Sequence, residues 1–527
     1  MEMGRKEVKM DASIDVIGED NLRNVLSRLP SSSFASAACV NRSWNHLCDT
    51  VLYTPKLSSA FSTNPSLQEA VEEVFNKVFA ELIRPHFAIV TVTSPDLDEA
   101  RQLITKKLGS SIPIVYTAPL GLMGRDAITN EFKEIQWEVY GEEYSSANFF
   151  DNGSAVPLTR VICLTVGFLP GLKFAAVPLL HTKTEQFEDE FLKDISECTT
   201  SVSGCTAPVG IILFTDASID ADHLLQNMDY SMSPETVIVG DRSGEFLCGD
   251  NFMDKKSKMK SQPLSIAAIA LLFMRDRKKP YGIGDIKLHV ALSAGLSPIG
   301  HTYEVTSVDE SRDFMIKLTA KREDSDENLD DEAITDTIGD QSHSVDFIGV
   351  VKKRKCTDGL EKVKWISSQV FREFQGIIEQ YLFVRDGGIE TGDCFRFFQP
   401  DSHRTSTSLR YVYDKFKDLK RSCDVRSSDC QTVKPAYSEQ NKIFGALIFS
   451  CISRGKPLGE ANVACSLFLE NFPDVTLAGS FCSGEICRGD SSSYGQLSER
   501  AGSQRCCVHY YSSVYLVMSY TPSLLGI

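Results

Sequence analysis

The chain has 527 residues, a formal charge of −16 and a sequence pI near 5.2. That acidic balance argues against nucleic acid as a main partner, because counterion-release binding needs clustered Lys and Arg. The longest apolar run, Ser265 to Met274, is far too short to span a bilayer, and the opening MEMGRKEVKMDASID lacks the apolar core of a secretory signal. A soluble intracellular protein with no membrane partner is therefore expected.

The elements follow in chain order. Residues 1 to 12 form a charged tail that is expected to stay disordered. Leu22, Val25, Leu26 and Leu29 then fall at i, i+3, i+4 and i+7, one face of an α-helix. Pro30 ends it, since proline cannot donate the backbone bond and its ring clashes with the preceding turn. Ser31 to Ser33 offer caps for a second helix that carries Phe34, Ala37, Ala38, Val40 and Trp44. This pair buries too little apolar surface to stand alone, so it must pack on the rest of the chain or on a partner. Asn64-Pro65-Ser66 starts another helix with a stripe of Leu67, Val71, Val74, Val78, Phe79 and Leu82, closed by Pro85. It reads equally as a rigid linker or as the first helix of the next domain.

From Phe87 the pattern changes. HFAIVTVTS is a β-branched apolar run, read as a strand buried on both faces; a helix follows from Ser94-Pro95 to Gly109, then a second strand, IPIVYTAPLGLMG. The same strand–helix–strand grammar returns at 208 to 246 and at 446 to 486. Such units need a covered sheet, so the body is expected to be α/β or α+β. No sustained L-x-x-L-x-L period marks a leucine-rich repeat. Residues 322 to 344 are acidic and poor in large apolar side chains, which suits a mobile surface loop. The basic run Lys352 to Lys355 reads as a nuclear localisation signal or as a solvated edge after the strand FIGVV. FVRDGGIETGDCFRFFQPD reads as strand–turn–strand, with Asp386-Gly387 in a hairpin turn. A serine-rich loop runs from Gly489 to Arg505, before a last strand at 514 to 520.

The chemistry is sparse. None of the sixteen cysteines forms a C-x-x-C pair or zinc-ligand spacing with histidine, so no metal and no cofactor are expected. There is no G-x-S-x-G, H-E-x-x-H or G-x-x-x-x-G-K-[ST], so no catalytic residues are assigned. Cys451 and Cys482 are conceivable thiols whose reactivity depends on exposure and a lowered pKa. The most site-like stretch is the turn Gly479 to Glu485, with Arg454 arriving from a neighbouring strand. Glycine backbone beside an arginine fork could hold an anion such as a carboxylate; the preferred alternative is that these glycines only make a tight turn and that Arg454 pairs with Glu485 structurally.

Two stretches resemble known families. Val25-Leu26-Ser27, Leu29-Pro30, Val40, Arg42 and Trp44 are similar to the F-box pattern, with Ile17-Gly18 and Asn41 as departures. The resemblance implies docking on a Skp-family adaptor through Leu22, Val25, Leu26, Leu29, Pro30, Val40 and Trp44, and through it on a cullin. Cys451 to Gly455, Ala478-Gly479 and Gly484-Glu485-Ile486 resemble the C-terminal part of the FIST module, and Ile212 to Asp216 with Val239-Gly240 the N-terminal part. FIST modules imply a pocket for small amino-acid-like ligands, placed here at Arg454, Gly479, Gly484 and Glu485. An F-box followed by both FIST parts implies a non-catalytic substrate receptor of an SCF-type ubiquitin ligase, cytoplasmic or nuclear, that presents a target protein for degradation; the alternative is a ligand sensor. The expected fold is a small N-terminal helical F-box (13–60), a linker helix (61–84), and a large α+β or α/β FIST body. The body divides into an N-terminal domain (85–320), an acidic loop (321–346) and a C-terminal domain (347–527).

Overall fold

The computed structural model describes residues 18–29, 31–80, 82–137, 160–181, 187–216, 219, 221–242, 244–249, 266–280, 282–310, 315–324, 329, 345–357, 363–385, 388–424, 441–454, 463–489 and 505–523. The N-terminal tail, Pro30, most of the acidic segment, Asp386-Gly387 and most of the serine-rich loop lie outside these residues.

Helix α1 spans Glu19–Ser27, α2 Ser31–Ala38 and α3 Arg42–Leu52. The expected second helix is thus two helices. Asn41 adopts an extended backbone and its side chain accepts a 2.8 Å bond from Trp44 N, which caps α3 and breaks the run before Trp44. Asn45 Nδ2 donates to Ala38 O at 3.0 Å and ties the two helices together. Leu22, Leu26, Phe34, Ala37, Leu47, Cys48 and Val51 close a core of their own.

Only Tyr53, Thr54 and Pro55 separate α3 from the strand Lys56–Ser62, which belongs to the body's first sheet. The boundary expected at residue 60 therefore falls inside that strand. The order of this sheet is Lys56–Ser62, Ile162–Phe168, Phe87–Val92, Ile114–Ala118, Glu245–Cys248. The strands Phe87–Val92 and Ile114–Ala118 run parallel, joined by α5, Leu97–Leu108, after α4, Leu67–Val78. Helix α4 is layered on this sheet with its stripe buried, so it is a part of the body and not a spacer. Alternation explains the continuous apolar run at 87–92. Ala88, Val90 and Val92 face the helices, while Phe87 and Ile89 face the interior.

The second sheet has the order Arg505–His509, Glu485–Gly489, Val237–Asp241, Gly210–Thr215, Ile266–Arg275, Leu172–Leu180. Helices α6, Phe187–Ser203, and α7, Ala221–Ser231, cover its outer face. The third sheet has the order Asp285–Ser293, Ser513–Thr521, Lys442–Cys451, Thr476–Cys482, Gly121–Arg125, Phe132–Gln136. Helices α8, Ser402–Asp424, and α9, Val463–Asn471, cover it. Each sheet holds one parallel strand pair spanned by a helix, at the three places where the repeated grammar occurs. The inner faces meet in one core that includes Phe87, Phe214, Phe273, Leu447, Phe449 and Leu516. Chain order and sheet membership diverge. The early strands Gly121–Arg125 and Phe132–Gln136 extend the third sheet, and the late strands Glu485–Gly489 and Arg505–His509 extend the second.

Residues 296 to 400 hold a closed six-stranded barrel inserted before α8. Its order is Leu296–Glu310, Met315–Arg322, Tyr381–Arg385, Val363–Ile378, Phe347–Thr357, Cys394–Pro400, and Tyr303, Phe395 and Phe397 fill its lumen. Tyr381–Arg385 and Cys394–Pro400 are not neighbours, so the expected strand–turn–strand is not a hairpin. Tyr381–Arg385 pairs instead with Val363–Ile378 across a tight turn at Glu379, whose φ is 58°. Arg372 of the barrel and Asp222 of α7 form a buried 2.6 Å ion pair that fastens the barrel to the second sheet's helical layer.

Candidate functional site: an apolar helical face and a buried polar junction

The residues expected to dock the adaptor separate by burial. Leu22 and Leu26 lie inside the helical core at 4% and 0% exposure and cannot touch a partner. Val25 and Val40 are exposed at 48% and 59%. Leu29 and Trp44 are half-buried and lean on the same core. The helical period alone could not make this division, because the stripe that fills the core and the residues flanking it belong to one apolar set. Val25 on α1 and Val40 in the turn between α2 and α3 are therefore apolar side chains turned outward from a closed core.

The second constellation sits where the second and third sheets meet the barrel. Glu485 opens the strand Glu485–Gly489 and stands directly opposite Asp241 in the antiparallel ladder. Both side chains are buried, Glu485 completely. Ser512 Oγ donates to Glu485 Oε2 at 2.6 Å, while Glu485 Oε1 is buried without a hydrogen-bond partner among the described residues. Burial pushes the Glu485 carboxyl well above the ordinary range. The Ser512 bonds oppose this, Asp241 adds to it, and the Arg454 charge opposes it. Ser480 Oγ reaches Asp241 Oδ2 at 3.5 Å.

Arg454 ends a short 3₁₀ turn, Ile452–Arg454, after the strand Lys442–Cys451. Its guanidinium donates to Ser293 O at 2.5 Å, Ser293 Oγ at 2.6 Å and Ser513 Oγ at 3.3 Å. Tyr511 holds a left-handed backbone, φ 49°, beside this cluster, and its hydroxyl donates to Asp346 Oδ2 at 3.0 Å. Burial raises both the Asp346 carboxyl and the Tyr511 hydroxyl.

Arg454 and Glu485 are thus brought into one electrostatic neighbourhood, and the two glycines have different roles from those expected. Gly479 lies within the strand Thr476–Cys482, where a Cβ would come to 2.1 Å from Ile448 O of the adjacent parallel strand. Gly484 sits in the bend between that strand and Glu485–Gly489, and a Cβ there would meet Val508 Cγ1 at 2.9 Å. The expected seven-residue glycine turn is two strands joined by Ser483-Gly484; Gly479 answers to the backbone of the adjacent strand and Gly484 to the Val508 side chain. Cys451 and Cys482 stand opposite each other in the parallel pair, both buried. Burial, reinforced by Glu485, pushes Cys451 up to about 12, and burial with Asp241 raises Cys482 well above the usual thiol range. Neither offers a thiolate at neutral pH. Sequence reasoning missed Asp241, Ser293, Tyr511 and Ser512. The only signal for Asp241 was its place at the end of VIVGD, the counterpart of the glycine-bearing strand before Glu485.

A cavity of about 390 Å³ lies elsewhere, between α8 and the third sheet, lined by His289, Lys415 and Phe416 among others. Among the described residues, no group of three or more His, Cys, Asp or Glu side chains is placed to hold a metal ion. No described helix is long and apolar enough to cross a membrane.

Residues 17–56 match the F-box domain family, and residues 134–316 match the FIST N domain family. The chain is also similar to an Arabidopsis thaliana protein named F-box/LRR-repeat protein At5g63520. It is 35% identical to that protein over 536 residues, covering 98% of this chain and 96% of that one. With an N-terminal three-helix unit at the matched positions, joined to a body of mixed sheets and helices, the chain belongs to the F-box proteins and carries a FIST N domain in its body.

Proposed function

We propose that the chain is the substrate-recognition subunit of an SCF-type ubiquitin ligase. The observation that carries this is the exposed Val25 and Val40 on an F-box whose own core is already closed. Apolar side chains that fold has no use for are suited to an apolar adaptor face. The three-helix unit docks a Skp-family adaptor and, through it, a cullin. The FIST body with its barrel presents a target protein for ubiquitination and proteasomal degradation, in the cytoplasm, the nucleus or both. Ubiquitin transfer itself belongs to other subunits; this chain contributes proximity and orientation.

Co-purification of the full chain with a Skp-family adaptor tests the reading. Val25→Asp combined with Val40→Asp is expected to weaken capture by at least about tenfold while moving the melting temperature little, since exposed substitutions usually change stability by about 0.5 kcal/mol or less. Undiminished capture would remove these residues from the docking surface.

A second reading, a sensor for a small amino-acid-like ligand, is favoured by one observation, the unpartnered Glu485 Oε1 in the polar junction. With the carboxyl protonated and Oε2 accepting from Ser512, Oε1 carries the proton and could donate to a ligand carboxylate or carbonyl oxygen. A panel of free amino acids that leaves the melting temperature of the full chain unchanged counts against this reading.

A further inference from the structure

The strands Glu485–Gly489 and Arg505–His509 form an antiparallel pair, the latter at the edge of the second sheet. In their register Cys487 stands directly opposite Cys507, and Glu485 opposite His509. Directly opposed residues of an antiparallel pair have Cα atoms about 4.5–5.5 Å apart and side chains on the same face. That separation lies inside the Cα window of a disulfide, about 4.4–6.8 Å. Neither cysteine is in a disulfide here.

Three further observations distinguish this pair from the other thiols. Cys507 is half-buried, so a small oxidant in solvent can reach it, whereas the opposed Cys451 and Cys482 are both buried. Cys487 is itself buried, which pushes its thiol up to about 12, so it serves only as the resolving partner of an oxidised Cys507. Cys507 Sγ lies 3.4 Å from His509 Nε2. The same Nε2 lies 3.4 Å from Cys487 O, and because a carbonyl only accepts, Nε2 carries the proton and its N–H faces Cys507 Sγ as well. Burial lowers the ring to about 4, so it stays a neutral donor that can hold a thiolate. The neighbouring Cys506 points to the other face of the sheet, into the layer under α6 and α7, and does not compete.

We propose that Cys487 and Cys507 form a hydroperoxide-sensitive thiol pair that closes into a cross-strand disulfide, with the His509 N–H as the donor that holds the Cys507 thiolate. In the first step Cys507, half-exposed, loses its proton to solvent while the His509 N–H holds the thiolate, and its sulfur attacks the peroxide oxygen. The O–O bond breaks, the departing hydroxide takes a proton and leaves as water, and Cys507 becomes a sulfenic acid. In the second step the Cys487 sulfur attacks the sulfenic sulfur. The S–O bond breaks, hydroxide leaves with the Cys487 proton as water, and the S–S bond forms. Two thiols are oxidised and one hydroperoxide is reduced to two waters. The cross-link fastens the edge strand to its neighbour and closes the chain between them into a covalent loop, next to the Glu485–Ser512 contact of the polar junction.

The test uses the full chain. It is exposed to hydrogen peroxide, remaining thiols are blocked with N-ethylmaleimide, and the unreduced digest is read by mass spectrometry. A peptide linked through Cys487 and Cys507 is expected, reversible by dithiothreitol and absent in Cys507→Ser. In the urea-unfolded chain the same oxidation is expected to lose this pairing preference. His509→Leu, which removes the N–H donor, is expected to slow the appearance of the linked peptide by about tenfold. Cys507 advancing to sulfinic acid while Cys487 stays alkylatable, or Cys507 linking to another cysteine in the folded chain, overturns the pairing. An unchanged rate in His509→Leu overturns the role given to the imidazole.

Discussion

Glu485 shows how much one buried proton can matter. Its carboxyl is fully buried opposite a second buried carboxyl, and its folded-state pKa is raised well above the 4.5 of an exposed glutamate. The folded chain therefore holds a proton that the unfolded chain loses above that value. Where the folded state binds more protons, stability falls as pH rises. The contribution is fully present below about pH 4.5 and declines, by up to about 1.4 kcal/mol per pH unit, until the folded carboxyl itself ionises. Glu485→Gln removes this linkage. Relative to the native chain, the variant is expected to melt progressively higher as pH is raised from 5 to about 7.5. A difference independent of pH would show that Glu485 is not the proton-holding group. Arg454 and Glu485 were both visible in the sequence as members of short motifs. Their partners were not, because Ser293 and Asp241 come from segments far away in the chain, and nothing local ties them to the site.

At the level of elements, legibility followed locality. The three strand–helix–strand units could be read because each is a contiguous stretch with a clear change of period. The first helix of the F-box was equally plain. The second was misread because Phe34, Ala37, Ala38, Val40 and Trp44 keep helical spacing through a break that only the Asn41 side chain reveals. The barrel was not legible at all. Its closure depends on pairing Leu296–Glu310 with Cys394–Pro400, a hundred residues later, and its strands carry charged residues on the face turned away from the lumen. Sheet membership was hidden for the same reason, and it bears on whether residues 85–320 can act as a unit. The second sheet needs Glu485–Gly489 beside Val237–Asp241, and the shared core needs Leu447, Phe449 and Leu516. A truncation ending at residue 320 would expose that core face, so it is expected to aggregate or to melt without a cooperative transition. A monodisperse fragment with a sharp transition would show that the N-terminal half folds alone.

For the molecule as a whole, the decisive feature is the join between the F-box and the body. Leu52 ends the third helix, and by Lys56 the chain is already paired in the first sheet with Phe168. Leu82, which follows the helix layered on that sheet, packs against the F-box core. Two contacts on either side of a three-residue bridge leave little freedom for a hinge. The F-box core is therefore fixed to the first sheet, and the barrel is fastened to the second sheet's helical layer by Arg372 and Asp222. On the proposed reading, a bound target would be held at one bearing from the adaptor instead of sweeping a cone. The lysines offered for modification would then be chosen by where the target binds, as a jig selects which part of a workpiece meets the tool.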